Sequence, residues 1–222
     1  MGRHRFFLRY NEGIVASPPN YLALIRHYEA CFAAKGDTPQ GVDWPDAAGA
    51  RTRYRVMAEV ARDAAGFDVL DLGCGAGHFL DYLRDQYRGP LHYQGLDLST
   101  VFVDCCRQKF PGVTFTCADI LQDPQALPPC DYVVMNGVFT EKRSLGQDEM
   151  MAFTCRMLER AFGAARKGIA FNLMSKHVDW ERDDLFHVPY DDITRFVISR
   201  LSRHHVIRAD YGLFEYTMYV YR

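Results

Sequence analysis

The sequence predicts an α/β fold, a doubly wound sheet preceded by a helical extension, and three observations carry that reading. Asp68-Val-Leu-Asp-Leu-Gly-Cys-Gly-Ala-Gly-His78 gives a short apolar strand, Val69–Leu72, then glycines at alternate positions, then Phe79, Leu80, Leu83 and Tyr87 at helical spacing. Strand-like and helix-like runs then alternate along the middle of the chain, the pattern of a parallel sheet covered by helices. Two short strand-like runs joined by Asp210-Tyr-Gly-Leu213 end it as a hairpin. The expected division is an extension over residues 1–65 that serves as a lid, and a main domain over 66–222.

The 222 residues suffice for one domain with a large core. A net charge of −2 supplies no field that would draw the chain to nucleic acid or an anionic membrane. Met1-Gly-Arg-His-Arg5 is charged, but the apolar run of a signal peptide does not follow it, and no stretch approaches about 20 apolar residues. The seven cysteines lack a C-x-x-C pair, so reduced core thiols of a cytoplasmic protein are expected, with no metal site.

The elements follow in order. Ser17-Pro-Pro-Asn20 punctuates the chain, and Asn20 is suited to cap a helix whose inward face is Tyr21, Leu24, Ile25, Tyr28 and Phe32. After the loop Lys35–Pro45 a second helix is expected from Asp46 to about Ala65, ended by Gly66. Beyond the first strand and its helix come strands at Leu91–Asp97, Val113–Cys117 and Asp131–Met135, with a helix from Ser99 between the first two. Asp148 is expected to cap a long helix with Met151, Cys155, Leu158, Phe162 and Ala165 inward; Arg166 and Lys167 would complement its negative end and Gly168 would close it. A fifth strand at Ile169–Met174, a helix capped by Asp191 or Asp192, and strands at His204–Ala209 and Phe214–Tyr221 complete the chain.

The glycine turn is the entry to a nucleotide-type site, where backbone amides around residues 73–77 and the helix start would face a ligand. The position that a dinucleotide site fills with a third glycine is His78, which opposes a nicotinamide cofactor. Asp97, ending the second strand, is placed to hold two ribose hydroxyls. Trp44 packs either on a ligand or as an anchor of its loop, and Asn136 is either a ligand contact or a turn residue. His177 leaves the carboxyl end of the fifth strand toward the ligand crevice, although a lone histidine is more often structural. A parallel sixth strand would also bring Arg208, Asp210 and Tyr211 over that crevice; the pair His204-His205 points to opposite faces and suits no metal.

Asp-x-Gly-x-Gly-x-Gly with downstream acids resembles the first motifs of class I methyltransferases that use S-adenosylmethionine, and from Gly36 onward the chain is similar to a group of small bacterial members with mostly undefined small-molecule substrates. The later stretches that carry this are Gly36–Trp44, Asp131–Phe139, Ala170–Ser175 and Arg208–Thr217. The resemblance implies a Rossmann-like, seven-stranded mixed sheet with the last strand antiparallel between the fifth and sixth. It also implies Asp119 on the adenine amine, Ile120 against the ring, and Arg53 on the methionine carboxylate. The cofactor set expected is Trp44, Arg53, Asp71, Gly73, Cys74, Gly75, Gly77, Asp97, Leu98, Asp119, Ile120, Asn136 and Gly137; His177, Arg208 and Tyr211 are the catalytic candidates, with Arg208 suited to an anionic substrate. The expected reaction moves a methyl group to an O or N atom of a small-molecule acceptor, in a monomer or homodimer without nucleic-acid or membrane partners. The alternatives are a non-catalytic cofactor-binding partner subunit and an RNA methyltransferase.

Overall fold

The computed structural model describes residues 20–61 and 64–222; Met1–Arg5 and Ser17–Pro19, singled out above, lie outside them. Strands β1 (Phe67–Leu72), β2 (Leu91–Asp97), β3 (Thr114–Cys117), β4 (Cys130–Met135), β5 (Ala165–Ser175), β6 (His187–Val188), β7 (His205–Arg208) and β8 (Glu215–Tyr221) form one sheet. Its order is β3-β2-β1-β4-β5-β8-β7, with β8 antiparallel to both neighbours and the two-residue β6 paired beside the end of β5. The expected seven strands and antiparallel insertion are therefore present, and β6 is an addition too short to read in the sequence.

Alternation along the strands divides the core between two faces. Leu70, Leu72, Val133 and Met135 pack with helices α5 (Gln147–Ala164) and α6 (Tyr190–Arg200). Val69, Tyr132 and Val134 pack on the other side with α2 (Ala47–Ala58), α3 (His78–Gln86) and α4 (Thr100–Lys109). Strand order reverses between β1 and β4, the place where open α/β sheets bind ligands at their carboxyl ends. Helix α1 (Leu22–Lys35) lies over that end. Tyr21 donates to Asp119 after β3 (2.5 Å), Ser99 after β2 donates to Glu29 (2.6 Å), and Tyr28 points at the Gly137 carbonyl after β4 (3.4 Å).

Several boundaries differ from expectation. Asp46 does cap α2 through the Gly49 amide, but the helix tightens into a 3-10 turn at Glu59–Ala61 rather than running to Gly66. Asn20 bonds Glu149 instead of capping α1. Gly146 and Pro189, not the aspartates after them, cap α5 and α6. The buried stripe of α5 is Met150, Phe153, Thr154, Met157, Leu158, Ala161 and Phe162: Leu158 and Phe162 are inward as expected, while Met151 and Cys155 are only half-buried, beside Met150 and Thr154.

The largest departure from expectation is at Arg166–Gly168, which belong to β5. Arg166 pairs with Asp131 (2.8 Å) and Asp68, and Lys167 pairs with Asp131 (2.6 Å), so cross-strand charges rather than a helix end hold these cations. Gly168 does not end a helix; a Cβ there would sit 2.6 Å from the Val220 carbonyl across the β5–β8 pair. Gly168→Ala is accordingly expected to cost about 1–3 kcal/mol through overpacking, read as a lower urea midpoint. An unchanged midpoint would contradict this close approach.

Candidate functional site

A cavity of about 760 Å³ opens under α1 at the carboxyl ends of β1, β2 and β4, within the roughly 300–1,000 Å³ typical of small-molecule sites. At one end lies the glycine turn. Gly73, Gly75 and Gly77 have φ of +79°, +50° and +75°, which only glycine adopts readily, so the turn is as tight as the spacing implied. Its amides serve differently from expectation. Those of Gly73 and Cys74 donate to the Leu96 carbonyl, that of Gly77 to Cys74, and that of Gly75 to Asp97 (2.9 Å). What the glycines offer a ligand is close approach of the backbone.

Asp97 ends β2 with one oxygen on the Gly75 amide and the other on the Ser99 amide (2.9 Å each); each oxygen keeps a further lone pair. Burial raises its pKa, opposed by these amides. Asp71 is 2% exposed, accepts the Tyr93 hydroxyl (2.6 Å), and is pushed up to about 7 by burial, against the Tyr93 bond and with the Asp97 charge adding. Asp119, Ile120 and Leu98 line the same end, with Asp119 held by Tyr21 and the Leu121 amide. Cys74 lies on the same wall, and its thiol pKa is raised, first by the hydrogen bond with the neighbouring Cys106 and then by burial.

Above the end of β4, Gly137 has φ +80°, and a Cβ there would meet the Trp44 ring at 2.7 Å. Trp44 lines the cavity and is covered by the Arg53 guanidinium, 4.3 Å from its ring centre, so it both anchors its loop and faces the ligand space. Arg53 borders the cavity but carries an ion pair with buried Glu215 (2.8 Å); Asn172 donates to the other oxygen of Glu215 (3.0 Å) and accepts the Gly137 amide (2.7 Å). The Asn136 side-chain oxygen is buried on the wall without a protein partner, as a ligand donor would require.

Of the expected residues, every one placed on the cofactor lines the cavity except Gly77, which sits one step behind the turn against Cys106 and Phe110. The three catalytic candidates do not line it. His177 is exposed and packs on Tyr190, 5.0 Å between ring centres, because the chain turns outward after Ser175. Arg208 points to the neighbouring helix end, paired with Glu59 (2.5 Å) and Asp210 (2.8 Å). Tyr211 bonds Thr217 (3.0 Å) and packs, half-buried, against the core. The place they were meant to fill is taken by Glu141, Arg143, Arg182, His187 and Glu215, among others. Glu141 and Arg143 follow the same loop as Asn136, and that position after β4 is the signal that could have found them.

Arg143 gathers Glu141 (2.8 Å), Asp43 (2.9 Å) and Asp184 (3.2 Å). Donor atoms of His27, Cys31 and Asp43 cluster within 4.8 Å, but the same guanidinium bonds His27 and Asp43, so a cation already occupies that place. Among the described residues no helix is long and apolar enough to cross a membrane.

Comparison with known proteins agrees with this geometry. Residues 69–161, from the first strand into α5, match the family described as "Methyltransferase domain". The chain is 31% identical over 166 residues, 72% of its length and 96% of the relative's, to the protein named "Putative methyltransferase Rv1506c" of Mycobacterium tuberculosis. In fold it is similar to the 1,6-didemethyltoxoflavin-N1-methyltransferase of Burkholderia thailandensis (15% identity, 96% of this chain and 93% of that chain, TM-score 0.64). It is likewise similar to the magnesium protoporphyrin IX methyltransferase of Synechocystis PCC 6803 with bound S-adenosylmethionine (18% identity, 95% of this chain and 100% of that chain, TM-score 0.62). With a glycine turn, an acid ending β2 and an antiparallel last strand around one roofed cavity, the chain belongs to the class I S-adenosylmethionine-dependent methyltransferases.

Proposed function

We propose that this methyltransferase acts on an O or N atom of a small molecule, by in-line displacement. The observation that carries the reading is the roofed cavity itself. One continuous space holds the glycine-turn end and a second end around Glu141 and Met174, beneath α1. Such a space suits two small partners end to end, whereas a nucleic-acid strand needs an open basic track. The lining arginines are all engaged with carboxylates.

In this reading Asp97 holds the ribose hydroxyls, Asp119 and Ile120 the adenine, and the glycine turn lets the backbone approach the methionine part. Glu215 takes the Nε and one terminal nitrogen of Arg53, leaving the other terminal nitrogen to address a carboxylate. Asn136 supplies its unpartnered oxygen to an amino group. When bound, the cofactor would supply a methyl carbon activated by positive sulfur, which would take the C–S electron pair as an acceptor lone pair bonded the carbon and the acceptor gave up a proton. The protein's part is alignment, worth an effective molarity of about 10⁵ M or more, and acceptance of that proton. Residues 20–35 act as the cover that excludes water.

Asp97→Ala is expected to weaken S-adenosylhomocysteine binding about a hundredfold, since two hydrogen bonds to a charged group are lost. Calorimetry on folded variant protein measures this, and unchanged affinity would sink the ribose assignment. Arg208→Ala is expected to leave that affinity within about twofold and to cost roughly 1 kcal/mol of stability, because its ion pairs are partly solvated. A large loss of cofactor binding with stability intact would return Arg208 to the site.

A further inference from the structure

Four large apolar side chains are well exposed among the described residues: Val101, Trp180, Ile198 and Phe214. Val101 and Ile198 are single aliphatic groups on α4 and α6, which is ordinary for a surface. Trp180 and Phe214, at 74% and 67%, both line the cavity. They rise from one place. The Ser175 amide donates to the Phe214 carbonyl (3.0 Å), and the excursion bearing Trp180 leaves the sheet after Ser175 and returns where Val188 pairs with it. A compact loop with adjoining ends is a common carrier of binding groups.

The charges at this end favour an uncharged occupant. Arg182 is paired with Asp184, and Arg143 with Asp43, Glu141 and Asp184. A carboxylate or phosphate entering here would meet arginines whose charge these acids already balance. Glu141 is 9% exposed and faces the cavity; the 140–142 strip that carries it is bonded to residues 184–186, next to cavity-lining Leu185.

We propose that the methyl acceptor is an uncharged aromatic molecule carrying an O–H or N–H, seated against the rings of Trp180 and Phe214 with its reactive atom directed inward to Glu141. This rests on the reading of the preceding section and names its substrate class. The acceptor's proton passes to a Glu141 oxygen as the bond to the methyl carbon forms, and the neutral carboxyl then releases it to water. Burial pushes the Glu141 carboxyl up to about 7; Arg143 and Arg182 oppose this, while Asp43 and Asp184 add to it, and Tyr28 also faces the group. A carboxyl half-ionised near neutral pH is well matched to general-base work.

The test uses protein loaded with S-adenosylhomocysteine and three probes: 2-naphthol, its saturated counterpart decahydro-2-naphthol, and 2-naphthoate. Calorimetry is expected to show 2-naphthol bound, with each of the others at least tenfold weaker. The double variant Trp180→Ala/Phe214→Ala should weaken 2-naphthol about tenfold or more while S-adenosylhomocysteine affinity stays unchanged. Equal binding of all three probes, or an indifferent double variant, overturns the aromatic seat. In carbon-13 spectra of labelled glutamate, one carboxyl should titrate near pH 7, vanish in Glu141→Gln, and shift when 2-naphthol binds. A Glu141 signal that ignores the probe overturns its role. Failure of wild-type protein to bind S-adenosylhomocysteine would reject the cofactor reading itself, which the aromatic arms leave separate.

Discussion

A carboxylate almost sealed from water sets the geometry of the whole cavity. Glu215, at the start of β8, is 2% exposed, and Arg53 and Asn172 bond both its oxygens. Stripping one partner from such a pair typically costs 3–5 kcal/mol, so the four segments that meet here are not free to drift. Asn172 passes the constraint to the Gly137 amide, and Arg53 passes it to Trp44 by lying across its ring. The antiparallel last strand, β5, α2 and the loop after β4 are thereby fixed to one polar chain.

A second constraint closes the cover. Among the described non-glycine residues only Asp43 and Arg143 have positive φ, +62° and +49°, and they are ion-paired with each other at 2.9 Å. Left-handed backbone in a residue with a side chain costs on the order of 1–3 kcal/mol and persists where the surroundings over-determine it. Both strained points thus lie at the seam between the loop that follows α1 and the loop that follows β4, where the guanidinium also holds Glu141.

The sheet and the glycine-turn end of the cavity were legible because local rules coincide there: a turn needing positive φ leaves glycines, and a strand ending at the crevice leaves the acid Asp97. The end around Glu141 and Glu215 was not. Nothing local distinguishes Glu215 from the solvent-facing half of an alternating strand, and only the depth of β8 inside the sheet buries it. His177 misled because the carboxyl end of β5 does reach the crevice, yet the chain turns away within two residues and returns with Trp180. Arg166–Gly168 misled because basic residues followed by glycine describe a helix end equally well; their partners Asp131 and Asp68 are distant in sequence.

The cover over the cavity also has a place in time. Tyr21 and Asp119 are 98 residues apart, and Asn20 and Glu149 are 129 apart, so a nascent chain displays α1 long before anything exists for it to close over. Loop closure across such spans is entropically late. Helix α1, made before the partners it closes over, thus docks late.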